Sequence, residues 1–253
     1  MKLFRHFFMT MLTLAVCTGF VACGDDDDET DEPGGGNNPS QGTTTTPDNL
    51  IGVWEFSYED EDGEDGSMTI TFKHNGICTL NFDDELVGFG SCTTSGSSLK
   101  LDFGIMTFNG SYSLQGNKLH YDFIWHDLDY PDEDMRMVCD FVKTSSNPGF
   151  EPDKVTSDIV GIWSNGEHTL SFLSNGLMKY VQHPNTHLDH IEVYMCYAID
   201  GNRLKLRTPL NNNWDENESF GRNTTFSVSG NTLIITAGNA EGYPESMKLT
   251  RVK

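Results

Sequence analysis

The sequence predicts an all-β protein: two small antiparallel eight-stranded barrels in tandem, with paired β-sandwiches as the alternative, behind a signal peptide and a flexible tether. Three observations predict it. Leu50-Ile51-Gly52-Val53-Trp54 returns as Ile159-Val160-Gly161-Ile162-Trp163, and Thr69-Ile70-Thr71-Phe72-Lys73-His74-Asn75-Gly76 returns as Thr169-Leu170-Ser171-Phe172-Leu173-Ser174-Asn175-Gly176, so the chain repeats itself. Within each copy apolar residues alternate with polar ones, the period of a strand with one buried face. Short Gly/Asn turn signatures separate the alternating runs, as in a meander. Eight hairpin-linked strands with one apolar face remove their edges by closing on themselves.

In chain order, Met1-Lys2-Leu3-Phe4-Arg5 forms a basic n-region and Phe7 to Val21 an apolar stretch too short for an ordinary membrane span. Residues 1–22 therefore read as a signal peptide that is removed. Phe20-Val21-Ala22-Cys23 resembles a bacterial lipobox. The resemblance implies a mature chain that starts at lipidated Cys23 and is held at a membrane by two or three acyl chains, enough for stable anchoring where one is not. The following Gly24-Asp25-Asp26-Asp27-Asp28-Glu29 resembles the acidic export signal of surface-displayed lipoproteins in the Bacteroidetes. That likeness implies an outer-membrane lipoprotein facing the cell exterior. Residues 23–48, Gly/Pro/Thr-rich with no apolar residue to bury after Thr30, form the tether.

Residues 49–144 form the first β-domain. Ile70 and Phe72 face one way, and beyond Asn75-Gly76, read as a two-residue hairpin turn with positive φ at both positions, Cys78, Leu80 and Phe82 continue on the same face. Residues 145–156, rich in Ser, Pro and Gly, form a linker, and residues 157–253 the second β-domain. There Leu170, Phe172, Met178 and Tyr180 repeat the pattern. Tyr112-Ser113-Leu114-Gln115-Gly116-Asn117-Lys118-Leu119 is echoed at Phe226 to Leu233 and at Tyr197 to Leu204. The closing strands end alike, Asp140-Phe141-Val142-Lys143 and Thr250-Arg251-Val252-Lys253.

Gly52-Val53-Trp54 and Gly161-Ile162-Trp163 resemble the first-strand signature of lipocalins, where the tryptophan plugs the barrel base. The likeness covers both copies in layout but rests on a three-residue motif. Being shorter than full lipocalins, the copies are more similar to the small lipocalin-like modules of Bacteroidetes lipoproteins. Strands of about six residues leave little room inside a filled eight-stranded barrel. Any cavity is expected to be small and apolar, lined by Ile70, Phe72, Leu80 and Tyr112 in one copy and Leu170, Phe172, Tyr180 and Phe226 in the other.

Composition narrows the function. With 16 Lys+Arg against 38 Asp+Glu the net charge is −22, which opposes binding to phosphate backbones, so no nucleic-acid partner is expected. Cys78, Cys92 and Cys139 fall in phase with the inward residues and Cys196 points the other way. They read as free core thiols, with a Cys78–Cys92 disulfide as the alternative. His183, His187 and His190 would share one face of a helical turn opened by Pro184 and are the metal candidates, against a plain polar loop. Two acidic loops, 59–66 and 127–134, suggest calcium but match no EF-hand. Trp125, Trp214 and Tyr130, in polar surroundings, read as outward aromatics and are the candidates for stacking on a sugar or for capping a barrel mouth.

No nucleophile elbow, phosphate loop or dinucleotide fingerprint occurs, and no catalytic residue or cofactor is expected. The reading is a non-enzymatic, lipid-anchored ligand-binding or interaction module. Its expected partners are the membrane through Cys23, and a small apolar or glycan ligand or other surface lipoproteins. Two alternatives are a metal-assisted enzyme or metal carrier using the His183/His187/His190 loop, and a structural accessory subunit of a surface glycan-uptake complex.

Overall fold

Alternation with a period of two buries one face of every strand, and in each half of the chain eight such strands close into a barrel. The computed structural model describes residues 46–59, 65–83, 85–127, 134–184, 190–207, 224–238 and 244–252. The first barrel comprises β1 (Gly52–Glu59), β2 (Asp65–Phe72), β3 (Ile77–Phe82), β4 (Glu85–Ser95), β5 (Ser98–Asp102), β6 (Met106–Gln115), β7 (Lys118–Asp127) and β8 (Met135–Ser145). The second comprises β9 (Gly161–Ser164), β10 (His168–Phe172), β11 (Leu177–Gln182), β12 (Ile191–Asp200), β13 (Arg203–Arg207), β14 (Thr225–Ser229), β15 (Thr232–Gly238) and β16 (Pro244–Arg251). Each is an up-and-down meander of antiparallel neighbours closed by its first and last strands, which sets the sandwich alternative aside. No helix occurs among the described residues.

Each barrel has a base, where its first strand begins, and a mouth at the other end. The Gly-x-Trp motifs build the two bases identically. Trp54 and Trp163 are fully buried, and each donates its Nε1–H to the carbonyl four residues earlier, Leu50 and Ile159, at 2.7 Å. A cation from the closing strand covers each ring: Lys143 Nζ lies 5.1 Å from the Trp54 ring, and the Arg251 guanidinium 4.1 Å from the Trp163 ring. Arg251 also donates to the carbonyls of Val160 at 3.1 Å and Asp158 at 2.6 Å. The glycines are required here twice over. Gly52 and Gly161 take φ of 130° and 144°, and a Cβ at either would run into the covering cation, 2.6 Å from Lys143 Cε or from Arg251 Nη1.

Two local expectations are corrected. Asn75-Gly76 is not a two-residue turn: His74, Asn75 and Gly76 form a three-residue loop closed by the Lys73 N–H on the Ile77 carbonyl at 2.9 Å, with positive φ only at Gly76. This is a G1-bulge connection, and Ser174-Asn175-Gly176 repeats it. The closing strands align two residues away from the apparent match, because Trp54 pairs with Lys143 whereas Trp163 pairs with Arg251. A slip of two leaves the inward and outward faces unchanged, so alternation alone does not reveal it.

The two barrels pack through equivalent faces. Leu177, Tyr194 and Cys196 of barrel 2 bury against Ile77 and Phe89 of barrel 1. By register these are matching positions, since Ile77 faces Ser91 and Thr79 faces Phe89, as Leu177 faces Cys196 and Lys179 faces Tyr194. The matching loops exchange hydrogen bonds, Asn175 Nδ2 to the Asn75 carbonyl at 2.9 Å and Asn75 Nδ2 to the Asn175 carbonyl at 3.3 Å. Near the mouths, Tyr194 Oη donates to Asp102 at 3.2 Å, and Lys179 lies 2.6 Å from Glu192 and 3.7 Å from Asp102. Base turns meet at Asn75 and Asn175, and a Cβ at the mouth-side Gly104 would sit 2.5 Å from the Glu192 carbonyl. The barrels therefore stand side by side with both mouths at the same end.

The expected linker is part of this seam. Phe150 packs against the Leu177/Tyr194/Cys196 cluster, Val155 enters the core of barrel 2, and Pro152 is buried under Gly176. Lys73, 4% exposed, donates from Nζ to the Pro148 carbonyl at 2.7 Å. Burial holds its pKa below the usual lysine value, with Cys196 and Glu151 acting in the opposite sense. Cys196 does point away from its barrel interior, as its phase requires, yet it is buried because barrel 1 covers that outer face. The four described cysteines carry free thiols, and burial pushes Cys92 and Cys196 up to about 12 and Cys139 to about 11.

Candidate functional site

The interiors of the two barrels differ most at their mouth ends. In barrel 1, β2 and β3 pair Met68 with Phe82 and Ile70 with Leu80, all directed inward. Phe82 stacks on Trp125 at 6.3 Å, and Trp125 packs on Phe108 at 5.3 Å. Trp125 is thus not an outward aromatic: it follows Leu119, Tyr121 and Phe123 on the inner face of β7 and is 6% exposed. The polar residues around it in sequence are the outward half of the alternation.

In barrel 2 the same register pairs His168 with Gln182 and Leu170 with Tyr180. His168, Tyr180 and Gln182 are 8%, 8% and 7% exposed. Tyr180 Oη lies 3.0 Å from His168 Nδ1 and donates to Gln182 Oε1 at 3.2 Å. With the single phenol proton given to Gln182, the contact to His168 is made by an imidazole that carries its hydrogen on Nδ1 and donates it to Tyr180 Oη, a relay from imidazole to phenol to amide. The His168 and Tyr180 rings also stack, 5.9 Å apart and 20° from parallel.

The loop before β10 fixes the histidine. Asn165 Oδ1 accepts the backbone N–H groups of Glu167 and His168 at 3.1 and 2.7 Å, and Ser164 Oγ donates to the His168 carbonyl at 3.0 Å. Burial lowers the His168 pKa, and His183 adds to this while Glu167 works against it. Burial pushes Tyr180 up to about 12, helped by the charge of Glu167. At neutral pH the trio is an uncharged set of donors and acceptors set into an apolar wall, with Ile191 and Val193 opposite Gln182 and Tyr180 on β12.

The expectation of a wholly apolar interior is therefore corrected in barrel 2. His168 and Gln182 were not among the expected inward residues, although the repeat carries the signal: they stand where the first copy has Met68 and Phe82. Of the metal candidates, His183 continues from β11 with its Nε2 3.0 Å from Thr169 Oγ1, and His190 Nε2 lies 3.4 Å from Glu192. His187 lies outside the described residues, as do Tyr130, Trp214 and Cys23. Among the described residues no three His, Cys, Asp or Glu side chains are grouped to hold a metal ion. Most of the two acidic loops is also outside the described residues. Comparison of the chain with protein-family models and with curated proteins gives no match.

Proposed function

We propose that this chain is a non-enzymatic, surface-exposed outer-membrane lipoprotein of the Bacteroidetes kind, with tandem lipocalin-like barrels acting as a binding module on the end away from its anchor. The carrying observation is the polarity of the pair. The chain enters at the base of barrel 1, where Leu50 and Trp54 lock together, and both mouths open at the opposite end. A tether running from lipidated Cys23 joins the pair at that base and so leaves the mouths free for a small apolar or glycan ligand or a neighbouring lipoprotein. Barrel 1, filled by its aromatic side chains, acts as the scaffold, and the mouth of barrel 2 is the recognition side.

The test uses intact cells of the native host. Wild-type protein should take up an azido-fatty-acid label and be removed by externally added protease. Cys23→Ala should lose the label and escape from the membrane fraction. Replacing Asp25, Asp26, Asp27, Asp28 and Glu29 by Ser should keep the label but protect the protein from protease. A labelled Cys23→Ala chain, or a wild-type chain protected in intact cells, rules the proposal out.

A further inference from the structure

The up-and-down order of the strands sorts the connections of each barrel between two ends, and the charge of the chain is sorted with them. On barrel 1, Glu59 pairs with Asp65, Phe82 with Glu85 and Trp125 with Met135 at the mouth. The few residues between such partners stay at that end, since each spans at most about 3.6 Å. Residues 59–65, 83–85 and 127–134 hold six, three and five Asp or Glu and no Lys or Arg. The connections at the mouth of barrel 2, residues 165–167, 183–190, 208–224 and 239–243, hold six Asp or Glu against Arg222. At the bases, the turns 73–76, 96–97, 116–117, 173–176, 201–202 and 230–231 hold no acid. The acids that do lie at that end, Asp48 and, between β8 and β9, Glu151, Asp153 and Asp158, are offset by Lys73, Lys118, Lys143, Lys154 and Arg251. Apart from the acidic run behind Cys23, the net charge of −22 therefore sits at the mouth end.

We infer that on a lipid surface of net negative charge this asymmetry holds the barrel pair base-down, with both mouths turned away from the membrane. The inference rests on the proposed anchor at Cys23. The tether fixes where the pair is held but not which way it points. A Gly/Pro/Thr-rich chain of that length spans about 25–30 Å, and an eight-residue strand such as β1 runs about 20–25 Å along a barrel. An inverted pair brings its acidic end down to the headgroups, whereas an upright pair keeps it about 50 Å above them. The Debye length at physiological salt is about 8 Å, so the acids are repelled in the first arrangement and screened in the second. The field that draws a polybasic segment to an anionic leaflet pushes a polyacidic end off it.

The experiment couples the purified chain from Cys23 onward through the Cys23 thiol to a maleimide lipid in vesicles, the other four cysteines being buried. A neutral fluorophore on an azido amino acid stands either at Asn117, in a base turn, or at Gly63, in a mouth connection, and energy transfer to an acceptor lipid reports its height. On vesicles of phosphatidylcholine and phosphatidylglycerol the Asn117 label should transfer at least about twofold more than the Gly63 label. The difference should shrink on phosphatidylcholine alone and in 1 M salt, where the Debye length is about 3 Å. It should also shrink in the variant Asp60→Asn, Glu61→Gln, Asp62→Asn, Glu64→Gln, Asp129→Asn, Asp132→Asn, Glu133→Gln. Equal transfer from the two labels on the anionic vesicles overturns the inference. So does a difference that is the same on both vesicle types and survives salt, which would make the point of attachment its whole cause. Because the anchor is made chemically, these outcomes are independent of the cell-surface test of the proposed function.

Discussion

At the scale of single residues, the two bases invite a direct comparison because the same tryptophan plug is covered by different cations. Arg251 stacks at 4.1 Å and caps two carbonyls, whereas Lys143 reaches only to 5.1 Å over its ring. A stacked, partly desolvated cation contributes about 0.5–2 kcal/mol and each charge-assisted hydrogen bond about 1.5–3 kcal/mol, though not additively. Arg251→Met should accordingly destabilise barrel 2 by about 2–3 kcal/mol, and Lys143→Met should cost barrel 1 less, on the order of 1 kcal/mol. Urea unfolding of the two variants checks the order, and equal losses would show that the carbonyl caps contribute nothing. Trp163→Phe leaves the Ile159 carbonyl without its donor and opens a void, for an expected loss of about 2–4 kcal/mol by the same measurement.

At the scale of elements, the segment between β8 and β9 shows best what was legible and what was not. Its Ser, Asn, Pro and Gly residues mark an irregular connection correctly, but composition does not say that Phe150, Pro152 and Val155 are anchors, since each depends on surfaces far away in sequence. Strand alternation, the repeat and the tryptophan plugs were readable because they are local or periodic. Trp125 was misread for the converse reason: its neighbours in sequence are outward residues, and its neighbours in space, Phe82 and Phe108, belong to other strands. The polar trio escaped because each member looks ordinary alone and becomes informative only beside its counterpart in the other copy. The segment between β8 and β9, a strap across the seam, also carries a pH dependence. Partial burial raises the Glu151 carboxyl, but the His74 backbone N–H and ring Nδ1, both 2.9 Å from Oε1, together with the charges of His74 and Lys73, outweigh it and leave the pKa below the ordinary value. A depressed carboxyl pKa stabilises the fold above the unfolded-state value and loses that contribution as the pH falls through the folded-state value. Glu151→Gln should therefore lower the melting temperature at pH 7 and above, with the difference from wild type closing as the pH falls through the folded-state value, so that the acid limb is flatter in the variant. An unchanged acid limb would place the acid sensitivity elsewhere.

At the scale of the whole molecule, the barrels fold around separate cores but share a seam. Residues 154–253 contain every strand of barrel 2 and Val155, so the fragment should give an all-β circular dichroism spectrum. Leu177, Tyr194 and Cys196 are then uncovered, a contiguous apolar patch of the kind that drives association. Its natural cover was the equivalent face of the other copy, so the fragment should form a two-fold dimer in sedimentation experiments, and Leu177→Asp should return it to monomer. A wild-type fragment that stays monomeric at high concentration would show that the strap, and not the shared face, holds the barrels together.

The reciprocal bonds between Asn75 and Asn175 give this seam a local two-fold character. A contact in which equivalent amides bond each other's backbone is the contact of a symmetric homodimer, here written into one polypeptide. Doubling and fusing the gene of such a dimer turns a concentration-dependent encounter into a permanent one, and it releases the two halves from having to share a sequence. One copy then keeps an aromatic filling, as barrel 1 does around Phe108 and Trp125, while the other is free to diverge, as barrel 2 does at His168, Tyr180 and Gln182.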